Sequence, residues 1–213
     1  MHPSWLILGT GFHRNPLRLA TSRSLDLFAS VVMVTLLLPV IVLAAIAIKC
    51  EDGLRAPVFY RQQRVGLNGK VFDLLKFRSM HSNAESDGIA RWAQKDDTRV
   101  TRVGAIMRVT RIDELPQLLN VLVGQMSMVG PRPERPQFVA ELTKKIPYYG
   151  QRHAVRPGIT GWAQLCYPYG ASEEDALQKL QYDLYYIKNN NLIFDVSILV
   201  QTIEVVCFGK GAR

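Results

Sequence analysis

The feature that most constrains this chain is a long apolar run near its N-terminus. Residues 27–48 include no charged side chain. As an α-helix this run would be about 33 Å long, close to the thickness of the hydrocarbon core of a bilayer. The run begins too late and is too long for a secretory signal peptide, and no small-residue cleavage site follows it. We therefore predict a helix embedded in a membrane.

Two features of this run leave its path through the membrane open. Pro39 lies inside it and removes a backbone donor, which favours a kink. Basic residues flank both ends, such as Arg23 before and Lys49 after, and positive charge prefers the cytoplasmic side of a membrane. A helix that enters, bends at Pro39 and returns to the same side fits both observations. A kinked single-pass anchor fits them equally well.

The chain as a whole has the size and charge of one basic domain. It has 213 residues, and 26 Lys and Arg against 18 Asp and Glu give a formal net charge of +8. This charge favours anionic partners, which include nucleic acid, anionic lipid headgroups and phosphorylated small molecules. The cysteines and histidines are scattered, which argues against a disulfide framework or a zinc site and favours a reducing, cytoplasmic environment.

Patterning after the apolar run predicts a mostly α fold with a small β-hairpin and one compact domain. Short strands are predicted at 58–60 and 71–75, joined across an Asn68-Gly69 turn. Helices are predicted at 99–111, 115–123, 136–145, 173–189 and 192–208. The apolar residues of the last helix suit the membrane interface.

Two adjacent carboxylates, Asp113 and Glu114, are the candidate catalytic residues. Pro116 falls in the first turn of the next predicted helix, which places both carboxylates at a helix N-terminus, where the macrodipole favours negative charge. Taken alone, the pair is better explained by a structural role, with Asp113 as an N-cap and Glu114 as a first-turn acid.

The basic residues around this pair favour an active site. They are Arg108 and Arg111 before it, Arg132 in a rigid Pro-Arg-Pro turn, and Lys76 and Arg78 at a predicted strand end. A helix cap does not need so many cations. A site that handles a diphosphate does, because guanidinium groups bind phosphate bidentately and neutralise developing charge. Paired carboxylates among such cations also suit Mg²⁺.

Five multi-residue runs follow one another along the chain. They are Phe59-Tyr60-Arg61-Gln62, Lys76-Phe77-Arg78-Ser79-Met80, Asp113-Glu114-Leu115-Pro116-Gln117-Leu118, Met128-Val129-Gly130-Pro131-Arg132-Pro133 and Arg156-Pro157-Gly158-Ile159-Thr160-Gly161-Trp162-Ala163-Gln164. From about Arg18 to the C-terminus, the sequence resembles the bacterial sugar transferase family. These are monotopic phosphoglycosyl transferases that begin the assembly of exopolysaccharides, O-antigens and glycoprotein glycans.

The resemblance implies a reaction and a role for each candidate residue. Asp113 would attack the sugar-bearing phosphate of a UDP-sugar and expel UMP, and Glu114 would help to bind Mg²⁺ together with Asp113. Polyprenyl (undecaprenyl) phosphate would then take the sugar phosphate from the aspartyl intermediate. The residues assigned to phosphate or nucleotide contacts are Lys76, Arg78, Arg108, Arg132 and Arg156.

The resemblance also implies a topology. Residues 1–26 would be an amphipathic juxtamembrane segment, 27–48 a re-entrant helix broken at Pro39, and 49–213 a cytosolic sugar transferase domain with interfacial C-terminal helices. The enzyme would contact membrane lipids on the cytoplasmic face of the bacterial inner membrane. Three residues depart from the family pattern: Leu38, where some members carry Ser, Gln125, where many carry an acidic residue, and Arg111, where small hydroxyl residues are common.

Two other functions compete with this one. Polytopic transferases join a sugar phosphate to the same lipid directly, but they need many spans and this chain offers one clear segment. A non-enzymatic basic module anchored to the membrane would bind nucleic acid or anionic lipid with salt-sensitive affinity. No nucleic-acid-binding pattern supports it, and we expect no nucleic-acid partner. The sequence leaves open the sugar, the oligomeric state (a homodimer included), and whether the chain is complete or part of a larger multi-span protein.

Overall fold

A computed structural model describes residues 16–81, 99–167 and 172–208, with the side chains of 206–208 left out. Its helices and strands are, in order, α1 (Pro16–Asp52), β1 (Phe59–Val65), β2 (Val71–Phe77), α2 (Arg102–Val109), α3 (Gln117–Val123), β3 (Ser127–Val129), α4 (Pro136–Lys145), β4 (Gly158–Thr160), α5 (Trp162–Cys166), α6 (Glu173–Asn189) and α7 (Leu192–Phe208). Short 3₁₀ turns cover Leu67–Gly69, Ile112–Glu114 and Tyr149–Ala154. The fold is mostly α with a small antiparallel hairpin, which confirms the predicted class.

The apolar run forms part of one long helix. α1 begins at Pro16, before the run, and continues through Pro39 to Asp52. Among the described residues, α1 is the one helix that is long enough and apolar enough to cross a membrane. Most of its surface is exposed, and its buried residues lie in two groups: Asp26 and Ser30 towards one end, Ala44 and Ile48 towards the other.

The N-terminal part of α1 is fixed to the rest of the domain by polar contacts. The guanidinium of Arg23 donates to the carbonyl oxygens of Val121 and Leu122 at 2.6 and 2.7 Å. These carbonyls lie in the last turn of α3. The buried carboxylate of Asp26 accepts from the backbone N–H of Met128 at 2.8 Å. This end of α1 therefore lies against α3 and β3.

The C-terminal part of α1 contacts the same domain at a different place. The carboxylate of Glu51 accepts from the backbone N–H groups of Arg102 and Val103 at 2.8 and 3.0 Å, at the start of α2. Ile48 is buried in a small apolar cluster with Phe77 at the end of β2. Both ends of α1 are thus attached to one domain.

The predicted hairpin is confirmed. β1 and β2 pair antiparallel, from Phe59 opposite Phe77 to Val65 opposite Val71. The connecting turn contains Asn68 at φ 55° and Gly69 at φ 76°. These left-handed conformations suit an Asn-Gly step and explain why that pair marks the turn.

A second sheet, absent from the sequence prediction, brings two of the five runs together. β3 and β4 pair in parallel, with Ser127 opposite Gly158 and Val129 opposite Thr160. A Cβ atom at Gly158 would lie 2.1 Å from the backbone nitrogen of Gly130, so only glycine permits this approach. The Pro-Arg-Pro turn therefore follows β3 directly beside the Arg-Pro-Gly run.

The helices agree closely with the predicted ones. α4, α6 and α7 have the predicted bounds, whereas α2 and α3 are shorter than the predicted 99–111 and 115–123. The hydroxyl of Thr101 caps α2, and Ser172 and Asp175 form a capping box at the start of α6. Apolar residues of α3, α4, α6 and α7 pack around β3 to form the main core.

Candidate active site

The carboxylates Asp113 and Glu114 lie in a tight turn between α2 and α3. This 3₁₀ turn, Ile112–Glu114, follows Arg111, whose φ of 60° and ψ of 12° are left-handed and unfavourable for a residue other than glycine. Backbone strain of this kind is concentrated at functional sites. The expected N-cap role of Asp113 is wrong, because α3 begins only at Gln117 and its capping position is Pro116.

Glu114 is the centre of a cluster of cations. Arg132 donates to it from both terminal guanidinium nitrogens, with Nη2 at 2.5 Å from Oε1 and Nη1 at 3.3 Å from Oε2. Lys76 Nζ lies 3.3 Å from the same Oε1, and Arg111 Nη1 lies 4.0 Å away on the exposed side. Within the described ranges, the ion pairs at this turn go to Glu114 rather than to Asp113.

Burial and charge give the two carboxylates different acidities. Burial raises the pKa of Asp113 above its usual 3.8, and the charge of Glu114 adds to this rise, although nearby Lys76 opposes it. Burial alone would also raise the pKa of Glu114, but the charges of Arg132 and Lys76 outweigh it and hold this pKa well below its usual range. Glu114 is therefore a fixed anion, and Asp113 is the more basic carboxylate of the two.

Lys76 reaches the site from β2, and α3 holds that strand in place. The buried side chain of Asn120 on α3 accepts from the backbone N–H of Leu75 at 3.0 Å and donates to the carbonyl of Asp73 at 2.8 Å. Its amide also donates to Gln125 Oε1 at 2.7 Å. The unusual Gln125 thus serves as the acceptor that an acidic residue would also provide, and it lies behind the site rather than in it.

The Pro-Arg-Pro turn is held at three successive carbonyl oxygens. That of Pro131 accepts from Gly158 N at 3.0 Å. That of Arg132 accepts from Arg152 Nη2 at 2.9 Å, and that of Pro133 from Arg64 Nη1 at 2.9 Å. A rigid turn with a fixed orientation follows from these bonds, and it points the Arg132 side chain at Glu114.

The other predicted phosphate-binding residues are placed differently. Arg108 is on α2, and its positive charge lowers the pKa of Asp113. Arg78 follows β2 and is half-buried, and its backbone N–H donates to the carbonyl of Val58. Arg156 lies at the other end of α3, where its Nε donates to the carbonyl of Gly124 at 3.0 Å. Its contact with a phosphate stays a prediction.

The donor chemistry at the dyad suits a magnesium ion. In the described part of the chain, no group of three or more His, Cys, Asp or Glu side chains could hold a metal. Mg²⁺ is often bound by one or two carboxylates together with substrate phosphates and water. Asp113 and Glu114 supply two adjacent carboxylates, and the cations on Glu114 leave part of its acceptor capacity unused.

A known protein family matches the part of the chain that contains these elements. Residues 17–209 match the family described as "Bacterial sugar transferase". The chain belongs to the bacterial sugar transferase family. The match covers both ends of α1, the hairpin, the dyad turn, the Pro-Arg-Pro turn and α7, which confirms the resemblance drawn from the five runs.

Two curated relatives of this chain carry the names of undecaprenyl-phosphate phosphotransferases. It is 46% identical over 199 residues to "UDP-N-acetylgalactosamine-undecaprenyl-phosphate N-acetylgalactosaminephosphotransferase" of Aeromonas hydrophila, covering 93% of this chain and 46% of that protein. It is 40% identical to "Undecaprenyl-phosphate glucose phosphotransferase" of Komagataeibacter xylinus, covering 95% of this chain and 39% of that protein. The chain therefore spans less than half the length of these two relatives.

A third relative has nearly the same length. The chain is 39% identical to "Exopolysaccharide production protein PSS" of Rhizobium leguminosarum bv. phaseoli, over 91% of this chain and 98% of that protein. The chain is thus similar to nearly the whole of one relative and to less than half of two others.

Three charged residues that support the site were not predicted from the sequence: Arg152 and Asp183 are buried, and Arg64 is half-buried. Arg64 and Arg152 hold the Pro-Arg-Pro turn, and Asp183 on α6 pairs with Arg152 at 2.8 Å. One sequence signal could have found Asp183. It lies on the same helical face as the core residues Leu180, Leu184 and Ile187, and a charge at such a position requires a buried partner.

Proposed function

We propose that this sugar transferase is a phosphoglycosyl transferase that moves a sugar 1-phosphate from a UDP-sugar to polyprenyl phosphate. This reaction would be the first membrane step of polysaccharide or glycan assembly. The observation that carries the proposal is the cluster at the dyad, where Glu114 is fixed by Lys76 and Arg132 beside the buried Asp113. The names of the relatives support the substrate classes.

The first half of the proposed reaction is nucleophilic attack by Asp113. A carboxylate oxygen of Asp113 forms a bond to the phosphorus that bears the sugar. The bond from that phosphorus to the oxygen of the UMP phosphate breaks, and UMP leaves with the electron pair. Arg132 and Lys76 lie where they can neutralise the charge that develops on the phosphate oxygens.

The second half returns the enzyme to its starting state. A phosphate oxygen of polyprenyl phosphate attacks the same phosphorus and forms a diphosphate bond. The bond to Asp113 breaks, and the carboxylate is regenerated. A two-step transfer of this kind needs a nucleophile that is also a good leaving group, which a carboxylate provides on an acyl phosphate.

Asp113 is a better nucleophile than Glu114 for a physical reason. Glu114 accepts from the Arg132 fork and from Lys76, and its pKa is strongly depressed. The pKa of Asp113 is raised by burial, which makes its anion more basic and more reactive once it has lost its proton. We assign Glu114 to positioning and metal binding.

We include Mg²⁺ in the proposal as the cofactor. Asp113 and Glu114 would hold it, and it would supply positive charge to the diphosphate. The residues of this chain perform the remaining tasks: Arg132 and Lys76 orient Glu114, and the turn at Arg111 fixes the position of Asp113.

The attachment of α1 supports a re-entrant arrangement over a single pass. Arg23 and Asp26 near one end and Ile48 and Glu51 near the other all contact the same domain. A helix that crossed the bilayer would have its two ends on opposite sides. We propose that the exposed apolar part around Pro39 dips into the membrane from the cytoplasmic face of the inner membrane.

The covalent intermediate gives a direct test. Detergent-solubilised protein is incubated with Mg²⁺ and a panel of UDP-sugars radiolabelled in the sugar, without a lipid acceptor. We expect label on the protein and release of an equal amount of UMP with at least one sugar. Adding polyprenyl phosphate should then remove the label from the protein and transfer it to lipid.

Asp113→Asn is the decisive variant, because it keeps the shape of the side chain and removes the nucleophilic oxygen anion. We expect neither label nor UMP release from it. Asp73→Asn is a matched control, since Asp73 is an exposed carboxylate on β2 whose side chain is not part of the site. Full turnover by Asp113→Asn would overturn the covalent mechanism.

A further inference from the structure

A buried ion pair lies behind the Pro-Arg-Pro turn. Arg152, in the 3₁₀ turn Tyr149–Ala154, and Asp183, on α6, are 7% and 3% exposed, and their Nη2 and Oδ2 atoms are 2.8 Å apart. Arg152 Nη1 also donates to the hydroxyl of Tyr149 at 2.7 Å. Burial alone would lower the pKa of Arg152, but the charge of Asp183 outweighs it and raises this pKa.

Such a pair is not explained by stability alone. Removing two charges from water costs about as much as their attraction returns, and apolar replacements of buried ion pairs are often equally stable or more stable. A buried pair is therefore better understood by what its geometry fixes. Here the third bond of the guanidinium goes to the carbonyl oxygen of Arg132, at 2.9 Å.

That carbonyl is the one hydrogen-bonding group of its peptide unit. The next residue is Pro133, which has no N–H, so the peptide between Arg132 and Pro133 can be held by hydrogen bonding through its oxygen alone. A charge-assisted bond from a buried, paired guanidinium holds this oxygen more firmly than a neutral donor would. The orientation of this peptide determines where the Arg132 side chain leaves the backbone.

We infer that Arg152 and Asp183 are positioning residues that set the Arg132 guanidinium on Glu114 and thereby on the reacting phosphate. The line of contacts runs from Asp183 through Arg152 to the Arg132 carbonyl, and from the Arg132 side chain to Glu114. Neither positioning residue needs to touch the substrate. The inference rests on the proposed function, because it assigns a purpose to Arg132 at the reacting phosphate.

The orientation of a catalytic group matters strongly for rate. A displacement of about 1 Å by a distant mutation can cost about a hundredfold. Lysine at position 152 keeps a positive charge opposite Asp183, but its single nitrogen cannot reproduce the planar fork that bonds Tyr149, Asp183 and the Arg132 carbonyl together. Arg152→Lys should therefore disturb the turn more than it disturbs the fold.

The experiment is a double-mutant cycle between positions 152 and 132. We measure the rate of UMP release in a single turnover for wild type, Arg152→Lys, Arg132→Gln and the double variant. Arg152→Lys should lower the rate about 10- to 100-fold with a much smaller change in the KM for the UDP-sugar. In the Arg132→Gln background, the same substitution should change the rate less than about threefold.

Asp183→Asn and Asp195→Asn form a matched pair of variants. Both remove a buried carboxylate, but Asp195 bonds Tyr186 and Ser22 rather than Arg152. We expect Asp183→Asn to slow UMP release and Asp195→Asn to leave the rate near that of wild type. If Asp183→Asn does not fold, the cycle with Arg152→Lys decides the question.

Two results would overturn the inference while the proposed function stands. One is an active wild type in which the effects of Arg152→Lys and Arg132→Gln multiply independently. The other is an equal loss of rate in Asp183→Asn and Asp195→Asn. A wild type that releases no UMP from any UDP-sugar would instead overturn the proposed function itself.

Discussion

Lys76 Nζ lies 3.3 Å from Glu114 Oε1, and this contact joins the second strand of the hairpin to the turn that carries Asp113. Both side chains are largely buried, with 18% and 11% exposed. Charge is poorly screened at this depth, so a change at either residue is felt at Asp113. The pKa of Asp113 therefore depends in part on a residue that is far away in the sequence.

Removing the positive charge of Lys76 should shift the acidic limb of the pH profile of kcat/KM to higher pH. Lys76 lowers the pKa of Asp113, so in Lys76→Met that pKa rises further and a smaller fraction is ionised at a given pH. We expect the limb of kcat/KM to shift to higher pH and the plateau to fall about a hundredfold. Lys145→Met, at an exposed lysine paired with Glu141 and Glu173, should leave the profile unchanged.

Removing the negative charge of Glu114 should shift the same limb in the opposite direction. Glu114 raises the pKa of Asp113, so Glu114→Gln lowers it and keeps Asp113 ionised to lower pH. Overall activity should still fall, because Arg132 and Lys76 lose the anion that holds them. Single-turnover release of UMP between pH 4 and 8 measures the shift. A shift of the acidic limb to higher pH in both Lys76→Met and Glu114→Gln would contradict this electrostatic account.

Glu114 should also make the stability of the fold depend on pH. Its pKa is lower in the folded protein than its ordinary 4.5, so the stabilisation is fully present above pH 4.5 and is lost as the pH falls below that value. Thermal unfolding of the wild type should therefore show a Tm that falls on acidification in this range. The Glu114→Gln variant should show a shallower fall. Parallel curves would mean that the cations leave the carboxylate unperturbed.

The contact of Arg23 with α3 should be measurable as stability. Arg23→Met removes two charge-assisted hydrogen bonds to the carbonyls of Val121 and Leu122, for an expected loss of about 1 to 3 kcal/mol. Denaturant unfolding in detergent checks this value. Lys144→Met, on the exposed surface of α4, is the control and should change the midpoint little. An equal effect of both variants would show that Arg23 does not cap α3.

The topology of α1 can be tested by cysteine labelling in cells. A background without Cys50, Cys166 and Cys207 receives a single cysteine at Arg14 or at Arg55. Because both ends of α1 should lie in the cytoplasm, a maleimide that cannot cross the membrane should label either site only after permeabilisation. Labelling of one site in intact cells and of the other only in permeabilised cells would contradict a re-entrant helix.

Local patterns predicted the elements well. The Asn68-Gly69 step fixed the hairpin, and apolar spacing with polar ends fixed α4, α6 and α7. These features depend on residues within one turn or one helix, where propensity and capping act directly. The dyad was found in the same way, from neighbouring charges and from the five runs.

Long-range contacts could not be predicted in this way. β3 and β4 are three residues each and pair across some thirty residues, which leaves no periodic pattern to detect. The bond from Arg152 to the Arg132 carbonyl depends on the path of the backbone, which the residue types do not report. The assignment of Arg156 to a phosphate likewise came from a motif, whereas its contact with Gly124 comes from the fold.

The hydrogen bonds from Arg23 to the carbonyls of Val121 and Leu122 have a geometric consequence for a reaction at a membrane surface. The dyad turn ends two residues before α3 begins, Arg23 bonds the carbonyls of Val121 and Leu122 near the other end of α3, and seven residues of helix rise only about 10 Å. If α1 lies in the bilayer as proposed, α3 fixes the distance between the membrane-embedded helix and Asp113. The height of Asp113 above the lipid headgroups is then determined by one short helix. At that fixed height Asp113 can reach the phosphate of a soluble UDP-sugar and that of membrane-bound polyprenyl phosphate.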